Sequence, residues 1–371
     1  MAVLIFFLLL FLCYGGLIFY YWQGWKTIPV FNTDQTIAPV SVSIIIPARN
    51  EENNIANLLE ALQRQDYPKT LLEIIVVDDH SSDSTAEIVK RFPDVRLLKL
   101  EDDDINSYKK KAIENGIAAA SGEWIITTDA DCIPAPGWLQ TIAAFKEKTN
   151  ALFIVAPVAL NCNSAIVQVF QAIDFLVLQG ITGASVFKKF HSMCNGANLA
   201  YEKNVFFEVG GFKGVDNIAS GDDMLLMHKF AEKYPDRIHY LKSKAAIVRT
   251  LAMPSWRSFF NQRIRWASKA TYYRDKRIFW VLLLVYVFNF SFAIMLLAGF
   301  WNHSYWLYLL FAILLKTLVE LPFVRHVAKF FAKQWIVKYF LFFQPLHILY
   351  TIAAGFFGQI GTYEWKGRRV K

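Results

Sequence analysis

The sequence predicts an α/β domain on a mostly parallel sheet, with helices apolar enough to cross a bilayer at either end. Three observations predict it. Short β-branched runs alternate with stretches of helical period between residues 42 and 128. Acidic residues stand at the ends of those runs, and long apolar stretches occupy 1–25 and 278–360.

Residues 1–25 carry no charged side chain, and Val3–Trp22 is long enough to cross a hydrocarbon core of about 30 Å. Neither a basic start nor a small-residue cleavage site marks a removable signal. The stretch reads as a retained anchor, with Lys26 just inside the cytoplasm. Val42–Ile46 then reads as a buried strand ended by Pro47. Within Glu51–Gln65, residues Ile55, Leu58, Leu59 and Leu62 recur at helical spacing. Leu72–Val77 is a second strand and Asp83–Arg91 a second helix. Val95–Leu100, Tyr108–Ala120 and Trp124–Thr128 follow as strand, helix and strand. This alternation implies βαβ units, and ligands of such sheets lie beyond the carboxyl ends of the strands. Pro47–Glu51, Asp78–Asp79 and Asp129–Asp131 therefore converge on one edge. Between Ala151 and Gly214 the alternation fades.

Ile278–Phe300, Ser304–Pro322 and Trp335–Ile360 are further candidate spans. Lys269, Arg274, Lys276 and Arg277 precede the first of them and place the preceding domain on the cytoplasmic side. Lys316 and Glu320, four apart, read as a satisfied ion pair near a helix end. Gln344-Pro345-Leu346-His347 favours a broken or re-entrant last segment, which also keeps the basic tail, 361–371, on the cytoplasmic side. The chain is 55% apolar and 16% aromatic, high for a soluble protein. Its net charge of +8 falls largely beside apolar segments and in the tail, where anionic headgroups account for it. No aromatic-interleaved nucleic-acid motif is visible, which excludes nucleic acid as the partner. The four cysteines are scattered with no paired spacing, and they receive no role.

Five polar motifs carry the chemistry. They are Ile46-Pro47-Ala48-Arg49-Asn50-Glu51, Val77-Asp78-Asp79-His80-Ser81, Thr128-Asp129-Ala130-Asp131, Gly221-Asp222-Asp223 and Gln262-Arg263-Ile264-Arg265-Trp266. In an extended backbone residues i and i+2 point the same way. Asp129 and Asp131 would then face one ligand, and a hard divalent cation, Mg²⁺ or Mn²⁺, can bridge such a pair to a diphosphate. Pro47 and Ala48 offer backbone groups to a nucleoside base, Arg49 and Glu51 its edge or ribose, and Asp79 can accept from an imide N–H. Taken singly, each motif has a plainer reading. Asp78–Asp83 can be a capped helix start, with His80 a loop residue. Lys109–Lys111 can be a solvated charge run, and Asp222–Asp223 a helix N-cap. Trp256, Phe259, Phe260 and Arg263 repeat at helical spacing, as in a helix lying in the membrane interface.

In this order, over about residues 40–270, the motifs resemble the membrane-bound family 2 glycosyltransferases of GT-A fold. By that resemblance Pro47, Ala48, Arg49, Glu51 and Asp79 line the nucleoside pocket, and Asp78 is structural. Lys109, seven residues before Gly116, approaches the donor phosphates, whereas Lys110 and Lys111 stay solvated. Asp131 ligates the metal, and Asp129 the metal or ribose-phosphate. Asp223 is the general base beside Asp222, which stands where the family usually has Glu. Gln262, Arg265 and Trp266 match Q-x-x-R-W at i, i+3 and i+4, one helical face. Arg265 there offsets charge on the leaving diphosphate, and Trp266 stacks on the acceptor. Asn195–Tyr201 and Gly210-Gly211-Phe212 resemble an acceptor-side strand and turn.

The expected organisation is an anchor over 1–25, a GT-A domain over 40–275 and a membrane region over 278–360. Within the GT-A domain, 40–135 binds the nucleotide-sugar and 150–275 forms the acceptor side and interface helix. The resemblance implies an inverting, metal-dependent enzyme, multi-pass in the inner membrane with its catalytic domain cytoplasmic. It would move sugar from a UDP-sugar to a lipid or lipid-linked glycan. A processive polysaccharide synthase is the alternative within the class. A non-catalytic GT-A scaffold and a transporter are the alternatives outside it.

Overall fold

A computed structural model describes residues 2–33, 39–102, 105–191, 193–216, 218, 221–269, 273, 275–360, 363–365 and 368–370. Arg274 of the expected basic cluster, and Lys366, Gly367 and Lys371 of the tail, lie outside the described residues. The chain divides into two compact units. One is helical and comprises Met1–Ile28, Cys162–His191 and Ala252–Tyr363. The other is α/β and comprises Pro29–Asn161, Ser192–Leu251 and Glu364–Lys371. The expected GT-A span of 40–275 thus includes one segment of the helical unit, Cys162–His191, and at its end runs into a second that begins at Ala252.

In the α/β unit, strands and helices alternate from residue 42: β1 (Val42–Ala48), α2 (Ile55–Gln63), β2 (Leu72–Asp78), α3 (Thr85–Val89), β3 (Val95–Lys99), α4 (Tyr108–Ala119) and β4 (Trp124–Thr127). The long apolar helix α1 (Ala2–Thr27) precedes them in the chain. β5 (Ile133–Pro134), α5 (Trp138–Thr149), β6 (Phe153–Val155) and β7 (Val158–Asn161) follow. After a helical insertion come β8 (Leu199–Glu202), α7 (Lys203–Glu208), α8 (Met224–Lys233), β9 (Ile238–Tyr240) and β10 (Val248–Leu251). The main sheet has the order β3-β2-β1-β4-β8-β6-β9, and a small sheet the order β5-β10-β7. β1 pairs in parallel with both β2 and β4, while β8 runs antiparallel to β4 and β6.

The chain leaves β1 toward β2 and returns to its other side at β4. The crevice beyond β1 and β4 is therefore the switch point at which open α/β sheets bind ligands. Physical reasons for these elements are local. Ile44, Ile45 and Ile46 are fully buried, as are Leu58, Leu59 and Leu62 on one face of α2, because β1 is covered on both faces and α2 on one. α4 crosses β1 closely at Gly116, where an added Cβ would stand 2.6 Å from Ile45 Cγ2. β1 also runs two residues beyond its expected end, with Pro47 in register against Val77.

The helical unit holds α1, α6 (Ile166–Phe187), α9 (Trp256–Ala267), α10 (Lys276–Ala298), α11 (Ser304–Phe330) and α12 (Phe340–Ile360). Among the described residues, five helices are long and apolar enough to cross a membrane: Ile5–Thr27, Ile166–Phe187, Lys276–Ala298, Ser304–Phe330 and Gln334–Ile360. The second of these was not expected, since Gln171, Asp174 and Gln179 interrupt its apolar run. These side chains are buried, and Gln171 bonds the Met253 carbonyl at 3.0 Å.

The last segment is not broken at Gln344–Pro345. A 3₁₀ stretch over Gln334–Tyr339 leads into α12, which continues through Pro345. Pro345 removes one backbone bond in the second turn, and Gln344 beside it anchors the helix. Its Oε1 accepts from Lys316 Nζ at 2.7 Å and its Nε2 donates to Glu320 at 2.5 Å. α11 likewise continues past Pro322 to Phe330. Lys316 and Glu320 are therefore mid-helix rather than near its end; they are buried, 2.8 Å apart, and Glu320 also accepts from the Tyr14 hydroxyl. Phe259 of α9 is buried in a cluster with Phe170, Tyr350 and Ala354, flanked by part-buried Trp256 and Phe260.

Candidate active site

Two loops, after β1 and after β2, close over each other at the carboxyl edge of the sheet. The Asp79 amide donates to the Ala48 carbonyl at 2.7 Å. Arg49 Nη1 donates to the carbonyls of Asp79 at 2.8 Å and His80 at 3.2 Å, so in this structure its guanidinium braces the second loop. Asn50 turns the first loop with φ 51° and His80 the second with φ 52°, a left-handed geometry in which Asn and His are enriched. Asn50 Oδ1 accepts the Ser82 amide at 2.8 Å. Glu51 accepts from Asn54 at 2.8 Å, and Asp83, just before α3, accepts the Thr85 amide at 3.0 Å. Pro47, Ala48, Arg49, Glu51 and Asp79 are thus gathered at one edge. His80 lies in the loop, with its Nδ1 3.0 Å from Asp79 Oδ1.

A second group forms beyond β4. Thr128 Oγ1 donates to the Ala197 carbonyl at 2.9 Å, tying the loop after β4 to the segment before β8. Asp129 and Asp131 do not lie in extended backbone as expected. They flank a turn in which the Cys132 amide donates to the Asp129 carbonyl at 3.1 Å, because the chain must reverse into β5. Ligand atoms of Asp129, Asp131 and Cys132 nevertheless lie within 4.8 Å of one another. Thr250 from β10 orients Asp131 by donating to Oδ2 at 3.0 Å.

Lys109, at the start of α4, places its Nζ 2.7 Å from Asp129 Oδ1 and 3.2 Å from Asp222 Oδ2. Burial opposes its charge, but Asp129 and then Asp222 outweigh that and hold its pKa above the ordinary lysine value. Lys110 is not solvated: it is buried, and its Nζ donates to the carbonyls of Val215 at 2.9 Å and Ile218 at 2.5 Å. Lys111 is the surface member, near Asp102 and Glu114.

Asp223 caps α8, accepting from the Met224 amide at 2.7 Å through Oδ1 and from the Gly196 amide at 3.1 Å through Oδ2. Gly196 is closely approached: a Cβ there would lie 3.0 Å from Asp222 Oδ2 and 3.6 Å from Lys109 Nζ. The structure thus brings together Lys109, Asp129, Asp131, Asp222 and Asp223 from three separate stretches of sequence.

Two carboxylates within ligand distance, one oriented by Thr250, suit a hard divalent cation that takes oxygen ligands. Cys132, which received no role, is buried beside them. Burial, then Asp131 and Asp129, push its thiol up, so it stands there as a neutral group. Thr250 was also missed, and only the three-dimensional contact with Asp131 reveals it.

Gln262, Arg265 and Trp266 lie on α9 in the helical unit, all part-buried. Arg263 between them, expected on the interface face, is buried and ion-paired with Asp174 at 2.6 Å.

Residues 43–210 match the family model Glycosyl transferase family 2. The chain is 29% identical over 266 residues to the probable glycosyltransferase YdaM of Bacillus subtilis, a match covering 70% of this chain and 61% of that protein. It is 31% identical over 124 residues to the beta-monoglucosyldiacylglycerol synthase of Trichormus variabilis, covering 32% of this chain and 26% of that one. It spans less than two thirds of the length of either curated relative. Among solved structures, the mannosyltransferase PcManGT of Pyrobaculum calidifontis, in complex with GDP-Man and Mn²⁺, superposes with a TM-score of 0.59 at 18% identity, over 96% of this chain and 98% of that one. That likeness shows the fold.

Proposed function

We propose that this chain, whose residues 43–210 match the Glycosyl transferase family 2 model, is an inverting, metal-dependent glycosyltransferase of that family and of GT-A fold. It moves a sugar from a nucleotide-sugar to a lipid or lipid-linked acceptor at the cytoplasmic face of the cell membrane. The observation that carries this reading is the meeting of Asp129, Asp222 and Lys109 beside Asp223 at the switch point of the sheet.

The loops of Pro47–Glu51 and Asp79 receive the nucleoside. Asp131 and Asp129 hold the divalent cation, which when bound neutralises the diphosphate and makes it a better leaving group. Lys109, already between two acids, lends a further positive charge to the same phosphates. Asp223 takes the proton from the acceptor hydroxyl. That oxygen then bonds to the anomeric carbon as the bond from carbon to diphosphate oxygen breaks on the opposite face, which inverts the centre. The roles of Gln262, Arg265 and Trp266 toward diphosphate and acceptor rest on the motif match. Five apolar helices, Lys26, Lys276 and Arg277 at helix ends, and a relative named for making a glucosyl lipid support a membrane-borne acceptor. The Q-x-x-R-W motif also favours a second reading, a processive synthase.

The test is purified full-length protein in lipid nanodiscs with labelled UDP-glucose, UDP-GlcNAc or GDP-mannose, and Mn²⁺ or Mg²⁺. One donor is expected to release its nucleoside diphosphate and place a single sugar in the lipid phase. A ladder of longer products would favour the synthase. No donor turnover with either metal would overturn the transferase reading.

A further inference from the structure

Deepening that reading, and resting on it for the catalytic consequence, we propose that Arg263 and Asp174 are positioning residues that set the Gln262 amide and the Trp266 indole of the Q-x-x-R-W helix. Arg263 is buried, and every part of its guanidinium is engaged. Nε and Nη2 donate to Asp174 Oδ2 at 3.0 and 2.6 Å. Nη1 donates to Gln262 Oε1 at 3.0 Å. Its Cζ lies over the Trp266 ring, 4.1 Å from the centroid, and over the Phe259 ring, at 4.7 Å. Asp174 is held in turn from α12: its Oδ1 accepts the Tyr350 hydroxyl, and His347 Nε2 lies 3.8 Å away.

Three consequences follow from this geometry. Arginine has only donors, so it takes the oxygen of the Gln262 amide and leaves the NH₂ as the end available to a substrate oxygen. The stacked guanidinium confines the rotation of the Trp266 ring, and Phe175, next to Asp174, meets the same indole with centroids 6.4 Å apart. A buried ion pair adds little net stability over apolar residues of the same size; what it adds here is direction. The positions between Gln262 and Arg265 in the motif carry no required side chain, yet Arg263 fills one of them and touches two of the motif residues.

Arg263→Lys separates positioning from folding. Lysine keeps the cation that Asp174 requires but lacks the fork that reaches Gln262 and the plane that covers Trp266. The full chain in nanodiscs is labelled with 5-fluorotryptophan, and the Trp266 fluorine resonance is assigned by its loss in Trp266→Phe. Two quantities are read: the position of that resonance without substrate, and the kcat for sugar transfer beside the Kd for nucleoside diphosphate with Mn²⁺. In Arg263→Lys the resonance is expected to move and kcat to fall about 10- to 100-fold, the cost of a misplaced group, with Kd unchanged. A Trp266 resonance that stays in place overturns the inference, and so does a moved resonance with wild-type kcat. Should Arg263→Lys not fold, Tyr350→Phe, which removes one hydrogen bond on Asp174, is read in the same two ways. If the wild type transfers no sugar from any donor, the proposed function fails, whereas the resonance still decides whether Arg263 sets Trp266.

Discussion

In the α/β unit, part-exposed Asp129 and Asp222 share the ammonium of Lys109, with Asp131 beside the first and Asp223 beside the second, whereas in the helical unit Asp174 and Glu320 are buried, each against its own cation, Arg263 and Lys316. The difference follows from solvation. A charge removed from water must be paired and hydrogen-bonded, so the helical unit matches its acids one to one. Where water still reaches, acids can outnumber the lysine that bridges them, and that surplus suits a ligand bringing positive charge. The first arrangement orders helices; the second prepares a site.

The sharpest way to break this comparison is to neutralise one acid of the site. Asp223→Asn keeps the cap on α8, since an amide oxygen can still accept from Met224. It is expected to lower kcat about 10²- to 10⁴-fold, the usual contribution of a general base, while nucleotide binding stays intact. In the helical unit the same kind of change should act on stability. Lys316→Met leaves Glu320 buried without its ammonium and is expected to cost about 3 kcal/mol, read as a lowered unfolding midpoint in detergent, with the nucleotide Kd unchanged.

Gly196→Ala probes the packing of the site. Its methyl would stand 3.0 Å from Asp222 Oδ2, so the Asp222 carboxylate that pairs with Lys109 must give way, and transfer should slow about tenfold without loss of folding. The smallest effects are on pH dependence. The raised pKa of Lys109 means that its stabilisation is fully present below the ordinary lysine value, about 10.4, and is lost only as pH rises through its higher folded value. Lys109→Gln should therefore lower stability between about pH 6 and 9 without changing the slope. Lys242 has the opposite sign. Burial pushes it down to about 8, so the folded protein sheds this proton first, and stability should rise with pH from about 8 toward 10.4. Lys242→Gln should flatten that rise in a thermal-melt series.

Much of the sheet was legible because its signals are local. The apolar runs of β1, β2 and β4 and the face of α2 declare themselves within a few residues, and the acids at their ends inherit a common edge from the topology. What escaped the sequence depends on distant partners. Lys110 looks solvated until the carbonyls of Val215 and Ile218 enclose its ammonium. Ile166–Phe187 looks too polar for a long apolar helix until tertiary contacts take up Gln171 and Asp174. Pro345 looks like a break until Gln344 is seen bonded to both Lys316 and Glu320. Spacing also misjudged the Asp129–Asp131 backbone, where a turn, not a strand, brings the two carboxylates together.

The central claim, that the part-exposed acids form a metal-dependent nucleotide site, is tested most directly by titrating the detergent-purified protein with UDP, GDP, dTDP and CDP. Each titration is run with Mn²⁺ and then with EDTA, on wild type and Asp131→Asn. One diphosphate is predicted to bind selectively, to be released by EDTA, and to lose its affinity in Asp131→Asn. Binding that ignores both EDTA and the substitution, or no binding of any nucleotide under either condition, would contradict it.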